Sequence, residues 1–306
     1  MRDSGVTSLE SVRMRSAVLT ALRRYFIAEG FYEIETPVMI AAPALELHID
    51  SPRAGQGGWL RASPELHMKR VLAAGCERIF QIGPCFREGE RGSRHNPEFT
   101  MLEWYRSSAG AAEIMDDTAA LLRFVALEVL GCTQFKRDGV VVDVGLPWSI
   151  ITVREAFMQW AGWDPVVSYD AERFDLDMVN LVEPALPRDR PVALVEYPAA
   201  AAALARLVPG NAAVAERWEV YVAGMELANA YGELTDAEIQ RQRFAECAKQ
   251  REALGREVYP LDEPFLEALE RGMPESGGIA LGVDRLVMLF QEASAIEDVR
   301  LFCVPR

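Results

Sequence analysis

Apolar residues recur at helical intervals near the start of the chain: Met14, Val18, Leu22 and Tyr25 share one face, and Gly30 ends the run. Thr7 and Glu10 have the spacing of a capping box, so the pattern predicts an amphipathic helix opening there. From Gly30 to Pro37 the period changes to two. Tyr32, Ile34 and Thr36 alternate with Phe31, Glu33 and Glu35, which predicts a short strand stopped by the proline. Two further runs, Arg78 to Arg87 and Phe99 to Tyr105, flank a Gly- and charge-rich stretch from Glu88 to Pro97 and predict an antiparallel hairpin with a long loop. In its second strand Phe99, Met101, Glu103 and Tyr105 fall on one face, and Thr100, Leu102 and Trp104 on the other. The first face carries polar groups that a buried core would not choose.

Ala111 to Leu130 and Val153 to Ala161 predict helices, while the Asp- and Pro-rich stretch Asp164 to Pro191 predicts an irregular insertion. Glu219 to Asn229 reads as one strand and Asp236 to Leu254 as a charged helix. Gly277 to Gly282 reads as a Gly-rich strand feeding a helix at Asp284-Arg285. No internal repeat is visible. Strands grouped with helices but not alternating regularly with them predict an α+β fold, a mainly antiparallel sheet flanked by helices.

Composition narrows the classes. Half of the 306 residues are hydrophobic, enough to bury a large core. No apolar run is long enough to span a bilayer, and the alanine-rich segment from Ala199 to Ala205 is soon broken by Arg206 and Pro209. The first residues lack the long apolar core of a signal peptide, so the expected address is cytoplasmic, with no membrane association. Cys76, Cys85, Cys132, Cys247 and Cys303 lie at long spacings that match neither a disulfide framework nor paired zinc ligands, and predict reduced structural thiols. A net charge of −14 opposes nonspecific binding to nucleic acid.

Three segments carry candidate chemistry. Arg87, Arg91, Arg94 and His95 sit among Glu88, Glu90, Glu98 and Glu103. They form either a salt-bridged loop or a phosphate clamp built on the two-pronged guanidinium. Phe99 beside them is core or a stacking platform for a purine. Glu226 lies in a strand of apolar and small residues, with Glu233 seven positions on. Buried carboxylates there need a cation, which Mg²⁺, an ammonium group or an arginine would supply. Glu65 follows Ser63-Pro64 just ahead of a helix, where it serves as ligand or cap. Gly277 to Arg285 lets the backbone approach a ligand and then places an arginine in a helix's first turn, a position that an anionic partner would rationalise. It matches neither the dinucleotide-binding nor the P-loop glycine pattern.

Taken together, Gly30 to Pro37, Phe86-Arg87 through Arg94-His95-Asn96-Pro97-Glu98-Phe99, and Gly277 to Arg285 resemble the three ordered signature motifs of class II aminoacyl-tRNA synthetases. Ser63-Pro64-Glu65-Leu66, Arg94 to Glu103 and Glu226-Leu227-Ala228-Asn229 are particularly similar to lysyl-tRNA synthetases. The resemblance covers nearly the whole chain as one catalytic domain, residues 1–306, with no N-terminal OB-fold for the anticodon. Glu103-Trp104-Tyr105, and Ala280 where lysyl-tRNA synthetases usually carry glycine, resemble the truncated paralogues that ligate (R)-β-lysine to a lysine of elongation factor P.

The resemblance implies ATP and Mg²⁺. Arg87 would contact the α-phosphate, Arg285 the γ-phosphate, and Phe99 the adenine, with His95, Asn96 and Leu227 nearby and Gly282 keeping the nucleotide floor open. Glu226 would hold Mg²⁺. Ser63, Pro64, Glu65, Tyr105, Glu233 and Ala280 would form the pocket for a lysine-like dication. Two departures stand out. Glu88-Gly89-Glu90 replaces the Asn-Glu that usually follows the arginine, so the ATP contact passes to Glu88 or Glu90, and Ala230 replaces a frequent glycine. The implied reaction forms an aminoacyl-adenylate and transfers it to an amine, without a covalent enzyme intermediate, in a homodimer that does not use tRNA. The alternatives are a minimal lysyl-tRNA synthetase using α-lysine and a non-catalytic lysine-binding regulator.

Overall fold

A computed structural model of the chain describes residues 8–55 and 57–302, so Thr7 and Cys303 fall outside the described residues. Helix α1 (Leu9–Ala28) is capped by Ser8, whose hydroxyl accepts from the Ser11 N–H at 3.2 Å. The helix buries Val18, Ala21, Leu22, Tyr25 and Phe26, and beyond it Gly30 takes a φ of +77° that suits glycine. The predicted strand after it shrinks to β1 (Tyr32–Glu33), followed by β2 (Met39–Ile40), β3 (Trp59–Leu60) and helix α2 (Glu65–Ala73). The expected hairpin is β4 (Arg78–Phe86) and β5 (Glu98–Ser107), and α3 (Ala111–Leu130) keeps its predicted bounds.

A small hairpin, β6 (Gln134–Arg137) with β7 (Val140–Asp143), precedes β8 (Ser149–Thr152) and α4 (Val153–Ala156), which runs on as a π-helical turn over Phe157–Ala161. The insertion expected to be irregular contains α5 (Ala171–Asp177), capped by Asp170, and further helical turns to Ala185. Phe174, Met178, Val182 and Leu186 recur every fourth residue and are buried together, a spacing that the surrounding Asp and Pro residues obscure. Strands β9 (Val192–Pro198) and β10 (Leu207–Val208) follow. The segment expected as one strand from Glu219 to Asn229 is a hairpin of β11 (Asn211–Val222) and β12 (Met225–Gly232). Its turn is Ala223-Gly224, with φ of +52° and +73°, the signs a tight two-residue hairpin turn requires. Helices α6 (Ala237–Ala253) and α7 (Glu263–Glu270), strand β13 (Ser276–Gly282) and helix α8 (Val283–Phe290) complete the described elements.

Nine strands form one sheet in the order β1-β4-β5-β13-β12-β11-β9-β8, with β10 added on β11. Among the described strands of this sheet the β1–β4 and β8–β9 pairings are parallel and the others antiparallel, so the sheet is mainly antiparallel, as expected. One face is covered by α1, α3 and α8 over Phe26, Trp104, Leu121, Val220, Leu281 and Leu286. Each such side chain, fully buried, contributes about 1.5–3 kcal/mol. On the other face α2, α6 and α7 pack at one end through Leu66, Phe244 and Phe265, and the insertion packs at the other through Phe157, Phe174 and Tyr197. Between these two covers the sheet is open.

Behind that opening, Asp284 in the first turn of α8 ties three segments. It receives Arg15 at 2.5 Å, Arg300 at 3.2 Å and the Thr100 N–H at 2.7 Å, with its side chain only 3% exposed. Removing the carboxylate would strand two largely buried guanidinium groups. Asp284→Ala is therefore expected to lower the unfolding free energy by about 3 kcal/mol, read from urea denaturation.

Candidate active site

The register of the sheet assembles the site. Residues paired across adjacent strands put Gln81, Glu103, Ala280, Asn229 and Glu219 in one row, and Ile79, Tyr105, Gly278, Tyr231 and Arg217 in the next. Paired residues share a face, and the period of two keeps both rows on the open side while Leu102, Trp104, Ile279 and Leu281 point into the core. From Glu103 and Tyr105 across to Glu219 and Arg217, the rows form the floor of a cavity of about 320 Å³. Gly278 is obligatory there. A Cβ would come within 2.2 Å of a Tyr105 ring carbon and 2.4 Å of Glu233 Oε1.

One end of the cavity is anionic, with a buried cation inside it. Lys69 on α2 is fully buried, and its Nζ lies 2.5 Å from Glu65 Oε1 and 2.6 Å from Glu233 Oε2. Burial opposes charge on this amine, but Glu233 and Glu65 outweigh it and hold the ammonium above the usual lysine range. Both carboxylates expected to meet a substrate ammonium therefore already share a lysine. Glu103 lies beside them. It accepts from Ser63 Oγ at 2.6 Å and from Tyr105 Oη at 2.9 Å, and Ser63 Oγ also accepts the Glu65 N–H at 2.9 Å. Burial, followed by the neighbouring Glu65 charge, raises the Glu103 carboxyl to about 8 against the pull of those two donors.

The opposite end is cationic. Arg285 donates to the Glu226 carboxylate at 2.9 Å and backbone oxygen at 2.8 Å, and lies 2.8 Å from His95 Nε2. Burial works against the Glu226 charge, but Arg285 prevails and holds its carboxyl below the usual range. Burial and then Arg285 lower the His95 pKa, which suits a neutral ring accepting at Nε2. Arg87 sits 5.2 Å over the Phe99 ring and 3.5 Å from Glu90, with its Nε lacking a partner. Asn96, Leu227 and Gly282 also line the cavity. A Cβ on Gly282 would meet nothing closer than Arg285's own chain at 3.5 Å, so the space above it belongs to the cavity.

Of the expected site residues, Pro64 precedes α2 as its N-terminal flank, and Glu88 and Gly89 lie off the cavity wall. Gly89 turns the chain at a φ of +76°, and the Glu88 N–H is bound to the Asp50 carbonyl. Glu90 is the acidic residue of that loop that reaches the cavity. The sequence reading passed over Lys69, Arg217, Glu219, Asn229 and Tyr231, and left Glu103 outside the site. Arg217 binds Glu219 at 2.7 Å and lies 4.3 Å from the Tyr197 ring centroid; Tyr221 donates to Glu219 at 2.8 Å and Asn229 to Tyr231 at 3.1 Å. The signal was present: in β11, Arg217, Glu219 and Tyr221 alternate with Trp218, Val220 and Val222.

A family model described as tRNA synthetases class II (D, K and N) matches residues 6–306. The chain is 38% identical over 331 residues to the elongation factor P–(R)-β-lysine ligase of Proteus mirabilis, an alignment spanning 98% of this chain and 96% of the relative. The ligases so named from Erwinia tasmaniensis and Enterobacter sp. are 37% and 39% identical over 330 and 315 residues, with the same coverage.

The raised Glu103 pKa sets a pH dependence. In the unfolded chain this carboxyl ionises near its ordinary value of 4.5, so between there and about 8 the folded state holds a proton that the unfolded state has lost. This contribution to stability is complete below the unfolded pKa and disappears as pH rises through the folded one. Urea midpoints at pH 5, 6.5 and 8 should therefore decline less steeply in Glu103→Gln than in the parent protein.

Proposed function

Since the chain belongs to the class II tRNA synthetase family and, within it, to the elongation factor P–(R)-β-lysine ligases, we propose that it activates (R)-β-lysine with ATP and transfers it to a lysine of elongation factor P. The observation that carries this reading is one cavity with carboxyl groups at one end, Glu65, Glu103 and Glu233, and the guanidinium groups of Arg87 and Arg285 at the other. A diamino acid and a nucleotide triphosphate require that polarity when a carboxylate must meet an α-phosphate between them.

In this reading the ammonium groups of the substrate lie against Glu103, Tyr105 and the Glu65–Lys69–Glu233 cluster, with Ser63 holding Glu103 in place. A substrate ammonium favours the ionised form of Glu103, which then gives up its proton. Arg87 and Arg285 hold the triphosphate, and Phe99 offers its ring to adenine beside Asn96, Glu90 and His95. The open space over Gly282 fits the nucleotide. Mg²⁺ fits as well. Glu226, whose carboxyl Arg285 holds below the usual range, would hold an ion whose other ligands are phosphate oxygens and water. When bound, it would neutralise phosphate charge.

The chain's own groups then act by position and electrostatics. The substrate carboxylate attacks the α-phosphate, pyrophosphate leaves, and Arg87 stabilises the charge on the phosphoryl oxygens. No side chain is required as a nucleophile. Ala280, between Glu103 and Asn229 in the sheet, sits at the floor beside the substrate's backbone end. Exposed Ile27, Tyr32 and Met39 around the first motif support a homodimer, and the net charge of −14 supports an acceptor other than tRNA. No helix among the described residues is long and apolar enough to cross a membrane, and a translation factor as acceptor supports a cytoplasmic enzyme.

ATP–pyrophosphate exchange is expected to be strong with (R)-β-lysine, weak with α-lysine, and lost in Arg285→Ala. A preference for α-lysine would favour tRNA charging, and no exchange with either isomer would remove the enzyme reading. Ala280→Gly, one methyl smaller, is expected to shift the isomer preference toward α-lysine by about tenfold in the same assay.

A further inference from the structure

The insertion carrying α5 and the facing helix α6 enclose a second cavity of about 970 Å³. Leu45, Phe174, Met178 and Phe244 give it apolar walls. It opens onto the first cavity, because Glu46, Ala203, Arg217, Glu219 and Glu226 line both. Of the residues assigned to adenylate formation only Glu226, at the opening, lines this space.

Gln240 and Glu183 are among the polar side chains in it, with Glu46 and the Tyr197 hydroxyl, that have no side-chain hydrogen bond or salt bridge among the described residues. Gln240 on α6 is 1% exposed, and neither its amide oxygen nor its amide nitrogen finds a hydrogen bond among the described residues. Leaving a buried amide unpaired costs about 1–3 kcal/mol, so the group points to a ligand that completes it. The carboxyl group of Glu183, half-buried at the end of the insertion, has neither a hydrogen bond nor a salt bridge among the described residues, its backbone alone being bonded, to Leu186 and Met178. The other carboxylates near it are engaged, Glu219 by Arg217 and Tyr221 and Glu226 by Arg285. Glu183 feels Glu226, Glu219, Arg94 and Arg285 around it, and burial followed by the two glutamates raises its carboxyl to about 7.

We propose that this second cavity receives the segment of the protein acceptor that bears the target lysine, with the Gln240 amide paired to that segment's backbone and Glu183 receiving the lysine ammonium beside the Glu219 and Glu226 opening into the reaction cavity. The inference rests on the ligase reading above. Its chemistry is specific: a glutamine amide offers one donor group and one acceptor to a peptide unit, apolar walls suit a lysine's methylenes, and an unpaired carboxylate suits its ammonium. From there the amine reaches the activated carbonyl. The new carbon–nitrogen bond forms as the carbonyl–oxygen bond to AMP breaks. One proton of the ammonium passes to Glu183 before attack, and the other leaves with the departing phosphate.

Two assays on Gln240→Leu and Glu183→Gln test this. Exchange of pyrophosphate into ATP with (R)-β-lysine reports the first step, and transfer of labelled β-lysine to elongation factor P reports both. Exchange should stay at the parent level, which also shows that the variants fold, while transfer kcat/KM falls about tenfold or more, Gln240→Leu mainly through the acceptor KM. Glu183→Asp should recover part of the lost transfer. Unchanged transfer in both variants would overturn the proposal, as would parallel loss of exchange and transfer, which would place these residues in the adenylation site. Absence of exchange in the parent protein would remove the ligase reading and this inference together.

Discussion

A single ammonium buried between two carboxyl groups organises the carboxyl-rich end of the cavity. Lys69 reaches from α2 to Glu65 in its own helix and to Glu233 just past β12, so the contact joins a helix to the sheet as well as balancing charge. The two carboxyl groups share one ammonium in a water-poor place, where electrostatic interactions are strong, and burial raises the Glu233 carboxyl to about 7 against the pull of Lys69. Glu103 sits next to that cluster under two hydroxyl donors and keeps its proton near neutrality until a cation arrives. The pocket is thus set up to bind positive charge without holding several uncompensated anions beforehand.

The sheet supplies the second constraint, which is distance. β5, β13, β12 and β11 lie side by side, so residues far apart in sequence meet in rows, and small residues at Gly278, Ala280 and Gly282 keep the middle of the floor low. Gly278 lets Tyr105 and Glu233 close over it, while Gly282 leaves its space to the cavity. Asp284, behind the floor, fixes the start of α8 and with it the direction of Arg285 toward Glu226 and His95. Separation of the two charged ends follows from strand geometry and needs no hinge.

Much of this was legible in the sequence. Strict alternation in Phe99–Tyr105 placed the site face of β5, and ordered motifs with arginines at Arg87 and Arg285 located the cationic end. The misses have local causes. Ala223-Gly224 turns a hairpin inside an apolar run, and only the positive φ values reveal it. The fourfold spacing of Phe174, Met178, Val182 and Leu186 lay among Asp and Pro residues that usually mark loops. Nothing in a linear pattern shows that Glu233 arrives from another element to bury Lys69. Glu88 and Glu90 were equivalent on paper until the turn at Gly89 sent one of them off the cavity wall.

The central claim is that one cavity both activates a diamino acid and presents it to a protein amine. Intact-mass analysis of elongation factor P after incubation with this protein, ATP and (R)-β-lysine tests it most directly. The account predicts a single β-lysyl addition on one lysine, dependent on ATP and absent without the enzyme. An unmodified factor, together with lysine attached to tRNA under the same conditions, would contradict it.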